Sequence, residues 1–348
     1  MKKLVLISLL TFVYLITIHA QAVYVDSNIG SDNNTGTEKF PVFSINKAAE
    51  IIKSKDNNFY VIKLNPGIYI LDRHVLVATE KSMTNKRIVI EASILPDDTS
   101  WTPEKMPVIV SKSKKGELQE ENSFIKENAI TSFYINESHV TIRGIKFLGY
   151  NYPVNVYYPI CRFNKAKTDL LVEQCMFVAD RQSSVIQVGV IAHGNGIKVD
   201  HCVFYNANNS VIYWEASGDS IKTGNSMTNC IVYGATESAI WTSWPDKDFI
   251  YKNNIVTNCN YFWVKYTKAN NSIYTIDNCV IVNNQHYQGD GEKPVEFELI
   301  ETNVIKEGNI SLRLINTIWE PLPMYHLHII PKTLGYNLGA GIFKNKKQ

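Results

Sequence analysis

The chain has almost no net charge. Its 35 Lys and Arg stand against 33 Asp and Glu, a formal balance of +2 over 348 residues. That balance gives no electrostatic argument for a nucleic-acid partner. Paired CxxC spacings of the zinc modules that read nucleic acids are also missing. The six cysteines form no CxxC pair and no Cys/His cluster with ligand spacing, so a structural zinc is not expected. No Cys follows the apolar N-terminal run, so a lipid-anchored start is not indicated. No second long apolar run exists, so no membrane span is expected downstream.

Apolar residues make up 45% of the chain, enough for a large core in one or two domains. The N-terminus reads as an export signal. A short basic "MKK" precedes a 15-residue uncharged run (4–18), apolar except for Ser8, Thr11 and Thr17, and "HAQA" then offers small residues at Ala20 and Ala22. The run is short for a span of about 20 residues. Residues 1–22 are therefore expected to be a signal peptide cleaved after Ala22. The mature chain, 23–348, is expected to be secreted, periplasmic or on the cell surface.

A loose repeat runs through the middle. "GIKF" (144–147), "QCMF" (174–177), "HCVF" (201–204), "NCIV" (229–232), "NNIV" (253–256), "NCVI" (278–281) and "NTIW" (316–319) share one pattern. Their first positions are separated by 30, 27, 28, 24, 25 and 38 residues. The units between are short runs of Val, Ile, Tyr and Phe broken by Asn- and Gly-containing turns, such as "HGNG" and "NANNS". A variable unit of about 25 residues built of short strands fits one coil of a parallel β-helix. Coils stack about 4.8 Å apart, so equivalent positions form rows. Asn229, Asn253, Asn278 and Asn316 are expected at a tight turn, where Asn tolerates left-handed geometry. Cys175, Cys202, Cys230 and Cys279 are expected as an internal row interrupted by Asn254, with Cys161 and Cys259 outside it. Stacked side chains point in parallel, so free buried thiols are favoured over disulfides.

Two end segments carry a family resemblance. "VYVDSNIGSDNNTGTEKFPVFSINKAAEII" (23–52), "YVIKLNPGIYIL" (60–71) and the closing "YNLGAGIF" (336–343) resemble the ends of pectate-lyase-like right-handed parallel β-helix proteins. Asn337 stands where those proteins carry Asp. The resemblance implies an all-β, single-stranded right-handed parallel β-helix over 23–348. It implies an N-terminal cap (23–60), a C-terminal cap (320–348) and a polysaccharide or oligosaccharide partner. The fold hosts lyases, glycosidases, esterases and binders, so the reaction is not fixed by it. Independently, Ile45, Ala48, Ala49 and Ile52 have helical spacing after an N-cap Ser44, the pattern of a short capping helix. Asp26, Asp32 and Asn34 are a candidate calcium loop, weighed against a turn held by its own Asx hydrogen bonds.

The site expectation comes from aligning "VIYWE" (211–215), "AIWTS" (239–243) and "YFWVK" (261–265). Alternation then points Ile212, Ile240 and Phe262 inward, and Tyr213, Trp241 and Trp263 outward as an aromatic column, with Gln187 in the coil before. Trp244 follows at a strand end. Aromatic faces stack on sugar C–H faces, so the column reads as a glycan groove. A slip of one residue inverts the set. Glu215 is the first candidate acid or base and Asp246 the second carboxylate for hydrolysis, with Asp219 as a competitor in a turn. Lys265 is the candidate base of the alternative, a calcium-assisted β-elimination on a uronic-acid polymer. Acids do not cluster in the outward columns, which favours hydrolysis, a route that needs no cofactor. A non-catalytic glycan binder or a structural surface β-helix are the remaining readings.

Overall fold

The computed structural model describes residues 21–54, 59–79, 87–118, 123–151, 156–215, 223–243, 245, 246, 248–266, 272–315 and 321–345. Most of the expected signal segment, and Trp244, Asp219 and Asn316, lie outside them. Apart from a short antiparallel pair, Tyr150–Asn151 with Ser184–Val185, the strands fall into three parallel sheets visited in rotation. The first sheet has ten strands and runs from Gln21–Val25 through Phe59–Leu64 to Leu299–Thr302. The second has eight, from Ile68–Leu71 to Val280–Val282. The third also has eight, from Val75–Val77 to His286–Gly289. Each strand pairs with the equivalent strand one turn of the chain later, which is the arrangement of stacked coils.

The repeat phrase marks the bend between the first and second sheets. Gly144, Gln174, His201, Asn229, Asn253, Asn278 and Asn303 all have φ between 48° and 73°. The bend needs one left-handed residue per coil, and Asn meets that need at little cost. Asn303, in "TNVI", is a member that the sequence reading did not include, and Asn316 lies outside the described residues. The Asn side chains also bond in series. Asn278 Nδ2 donates to Asn253 Oδ1 at 2.7 Å, and Asn253 Nδ2 to Asn229 Oδ1 at 3.0 Å.

The next position of the phrase points inward. Cys175, Cys202, Cys230 and Cys279 are buried and free. They are more than apolar filler. The Cys202 N–H donates to Cys230 Sγ, and the Asn254 N–H to Cys279 Sγ, each at 3.4 Å. Asn254 does the same service, with Oδ1 accepting the Cys230 N–H at 2.9 Å and Nδ2 donating to the Met227 carbonyl at 2.8 Å. Burial pushes the Cys175 and Cys202 thiols far above their ordinary range. Below this row, Phe147, Phe177 and Phe204 stack face to face at 5.1 and 4.7 Å.

The ends follow the same logic. Helix Ile45–Lys53 buries Ile45, Ala48, Ala49 and Ile52 in the main core, and Ser44 Oγ caps it by accepting the Lys47 N–H at 3.1 Å. The C-terminal stretch lies along the flank. Leu312, Leu327, Ile329, Ile342 and Phe343 pack on the outward row Met176, Val203, Ile231, Ile255 and Val280 of the second sheet. On the first sheet's outer face, charges alternate through Lys63, Glu91, Arg143 and Glu173. The next member is Asp200, a second acid in succession. Lys344 from the strap reaches both, pairing with Glu173 and lying 3.4 Å from Asp200.

His328 latches the strap. Its Nδ1–H donates to the His326 carbonyl at 2.8 Å, and its Nε2 accepts the Ile342 N–H at 3.0 Å. Both nitrogens are used by the neutral ring, and burial holds its pKa down at about 4. Gly341 lies against the imidazole, where any Cβ would meet the ring at 2.3 Å.

Two outcomes are expected. Strap stability should be complete above about pH 6.5, the ordinary His value, and fall as pH drops toward 4, by roughly 3 kcal/mol in all. Hydrogen exchange of residues 325–343 against pH measures it; exchange that stays flat from pH 7 to 4 contradicts the latch. Asn254→Ala should lower stability by about 2–4 kcal/mol by stranding buried backbone groups. Asn254→Cys, which restores an acceptor for Cys230, should recover part of it in denaturant titrations.

Candidate functional site

The third sheet does not alternate simply. Its register pairs Val211 with Ile240 and Trp263, and Ile212 with Trp241 and Val264. The ladder skips Pro159, Gly189, Ser210, Ala239 and Phe262, one per coil. At this kink two successive residues reach the interior, so Ala239 and Ile240, and Phe262 and Trp263, all join the main core. One coil also has an extra residue. The Glu237 and Ser238 N–H groups both donate to the Asn208 carbonyl, at 2.8 and 3.2 Å, which makes a β-bulge and turns Glu237 outward.

These two irregularities correct the expected aromatic column. Tyr213 and Trp263 are 1% and 0% exposed and belong to the core. The Tyr213 hydroxyl donates to the Ser226 carbonyl at 2.6 Å, and the Trp263 indole N–H to Thr242 Oγ1 at 3.0 Å. Ile212, expected inward, faces outward. Trp241 is outward, as expected.

A different aromatic group forms on that face. A cleft of about 910 Å³ is lined by Tyr158, Phe163, His193, Trp214, Trp241 and their polar neighbours. The Trp214 ring lies 6.0 Å from Trp241 and 6.5 Å from His193. It also stacks at 6.3 Å on Tyr266, two coils on. The intervening coil places the small, buried Ser243 in that row, which lets the two rings meet over it. The Trp241 indole N–H is buried and has no partner among the described residues.

Two carboxylates line the same cleft. Glu215 pairs with Lys165. Glu237 accepts from Gln187 Nε2 at 3.1 and 3.3 Å and from Asn209 Nδ2. Gln187 is itself braced by Asn208 Nδ2 at 2.8 Å. Glu215, Gln187 and Trp241 of the expected set are thus brought together here. Trp214, Glu237 and Lys165 are among the cleft residues that sequence reasoning missed. Counting from the left-handed residues Asn206, Gly234 and Asn258 would have shown the extra residue at Glu237.

The other expected site residues lie elsewhere. Asp246 is buried, accepts from Asn225 Nδ2 at 2.6 Å, and is not part of the cleft lining. Its position past the end of the third-sheet strand, on a loop tied to Ser272, turns it away from Glu215. Lys265 pairs with Thr242 in the row of Tyr213, which carries it inward. Its Nζ donates to the Ser272 carbonyl at 3.3 Å and lies 4.6 Å from the Phe297 ring, and burial lowers its pKa. Asp26, Asp32 and Asn34 each hydrogen-bond to neighbouring protein groups. Asp26 accepts from the Asn28 and Ile29 N–H groups and from Asn65; Asp32 accepts from Phe43, Ser44 and the Ser44 hydroxyl; Asn34 donates to the Pro41 carbonyl. No group of three or more metal-ligating side chains occurs among the described residues.

No protein-family model matches the chain, and no curated protein matches it. Among solved structures it is similar to a rhamnogalacturonan lyase, with a TM-score of 0.52 and 14% identity over 77% of this chain and 70% of that one. It is also similar to the GH136 lacto-N-biosidase from Eubacterium ramulus, with a TM-score of 0.47 and 8% identity over 82% of this chain and 55% of that one. At 14% identity the first likeness shows a shared fold and leaves the chemistry open.

If the aromatic floor is a binding surface, Trp214→Ala should weaken oligosaccharide binding about tenfold, equivalent to roughly 1.4 kcal/mol. Asp246→Asn should lower the unfolding temperature and leave binding unchanged. The reverse pattern in titration calorimetry would place binding outside the cleft.

Proposed function

We propose that this chain is an exported, right-handed, single-stranded β-helix enzyme that cleaves a polysaccharide by acid/base hydrolysis in the third-sheet cleft. The observation that supports it is the convergence of two carboxylates, Glu215 and Glu237, on a cleft floored by Trp214 and Trp241. Indole faces bind the apolar faces of sugar rings. One carboxyl group protonates the leaving oxygen, and the other activates water or attacks the sugar directly. Asp246, the second carboxylate expected from sequence, yields that role to Glu237. The rhamnogalacturonan lyase likeness accords with a carbohydrate partner, although hydrolysis is favoured here over β-elimination. Lys265, the base that elimination would use, is inside, and the cleft's Lys165 is engaged by Glu215. Right-handed winding accords with the handedness of nearly all parallel crossovers.

Export belongs to the same reading. Cleavage after Ala22 leaves Val23–Val25 to pair in the first sheet. The six sealed thiols are then expected to stay reduced in an oxidising compartment. N-terminal sequencing of the exported protein should begin at Val23.

Glu215→Gln and Glu237→Gln should each cut kcat by about 10²–10⁴ while binding changes only a few-fold. Products should gain reducing ends without new near-ultraviolet absorbance. Absorbance in the products would establish elimination, and binding without products would establish a non-catalytic binder. Either result contradicts the hydrolase.

A further inference from the structure

A second recess lies beside the cleft, at the bend between the second and third sheets. It has a volume of about 640 Å³, and its lining includes Arg181, Thr236, Asn258, Asn260 and Gln285. Arg181 is the one basic side chain in this lining. One of its N–H groups donates to the Gly234 carbonyl at 2.7 Å. No carboxylate lies within ion-pair distance of it among the described residues. The adjacent Asp180 is committed to its own turn, accepting from the Gln182 and Ser183 N–H groups and the Ser183 hydroxyl. The side-chain amides of Asn258, Asn260 and Gln285 have no partner among the described residues. The recess therefore presents an unneutralised guanidinium fork amid neutral donors and acceptors.

A hydrogen-bond chain joins this recess to the cleft. Thr236 Oγ1 donates to Asn208 Oδ1 at 2.8 Å, Asn208 Nδ2 to Gln187 Oε1 at 2.8 Å, and Gln187 Nε2 to Glu237 at 3.1 Å. A glycan lying on Trp214 and Trp241 would reach the recess by passing Glu237.

We propose that this recess is a subsite for an anionic sugar, with Arg181 binding its carboxylate or sulfate ester and the amides binding its hydroxyls. The inference rests on the glycan reading of the cleft and adds the substrate class: a polymer carrying acidic residues. A guanidinium binds planar oxyanions through paired N–H groups, and such charge-assisted bonds are the strong ones. Neutral amides suit hydroxyls without repelling the anion.

The test is titration calorimetry of the full chain, at low salt, with three sets of oligosaccharides: neutral, uronic-acid and sulfated. At least one anionic set should bind about tenfold or more tightly than the neutral set. The set that does so identifies the group. Arg181→Gln should erase the preference and leave neutral binding unchanged, and Arg181→Lys should keep part of it. The Arg181 side chain is exposed, so both variants should fold. Equal binding of charged and neutral sets, or a preference that survives Arg181→Gln, overturns the subsite while leaving the cleft standing. Binding of none of the sets overturns both.

Discussion

Every side chain in this molecule has to tolerate its own equivalents one coil above and below. In-register parallel stacking sets them about 4.8 Å apart, and each row has solved that constraint chemically. The left-handed bend uses Asn amides, which donate and accept in series from Asn278 to Asn229. The interior row uses thiols and one amide that accept the neighbouring backbone N–H. The aromatic row stacks flat, through Phe147, Phe177 and Phe204. The charged row alternates in sign until Glu173 and Asp200 meet, and there a lysine from the far end of the chain is brought in.

The candidate site arises where stacking is locally broken. The kink after Ser210, Ala239 and Phe262 sends two successive residues to the core and shifts which ones face out. The bulge at Glu237 adds a residue that the neighbouring coils lack, and its carboxylate reaches the outer face. Ser243, small and buried, separates Trp214 from Tyr266 and lets their rings approach. A regular scaffold with a few displaced residues gives a floor of rings edged by carboxylates, and Gln187, Asn208 and Asn209 hold Glu237 in place.

The coil itself was legible in the sequence because the bend demands one left-handed residue per turn, and Asn, Gly and His at that spacing report it. The capping helix was legible because its apolar spacing has a single reading. The site was only partly so. Glu215, Gln187 and Trp241 were found, yet Tyr213 and Trp263 were placed on the wrong face. Third-sheet strands are buried on both sides, as in "VGVIA" (188–192) and "YFWVK", so hydrophobicity does not alternate and cannot fix the register. The alignment was off as well, "AIWTS" by one residue because of the extra residue before Ser238 and "YFWVK" by two. The side of the chain on which Asp246 and Lys265 fall depends on that register too, and both turned out to be interior.

The central claim is that the outer face of the third sheet holds a sugar chain between Glu215 and Glu237. The most direct measurement is a crystal structure of the Glu237→Gln variant soaked with a bound oligosaccharide. The account predicts a pyranose ring lying flat on Trp214 or Trp241, with a glycosidic oxygen within hydrogen-bond reach of one of the two carboxyl positions. Sugar density on another face, or rings stacked there with no glycosidic oxygen near either residue, would contradict it.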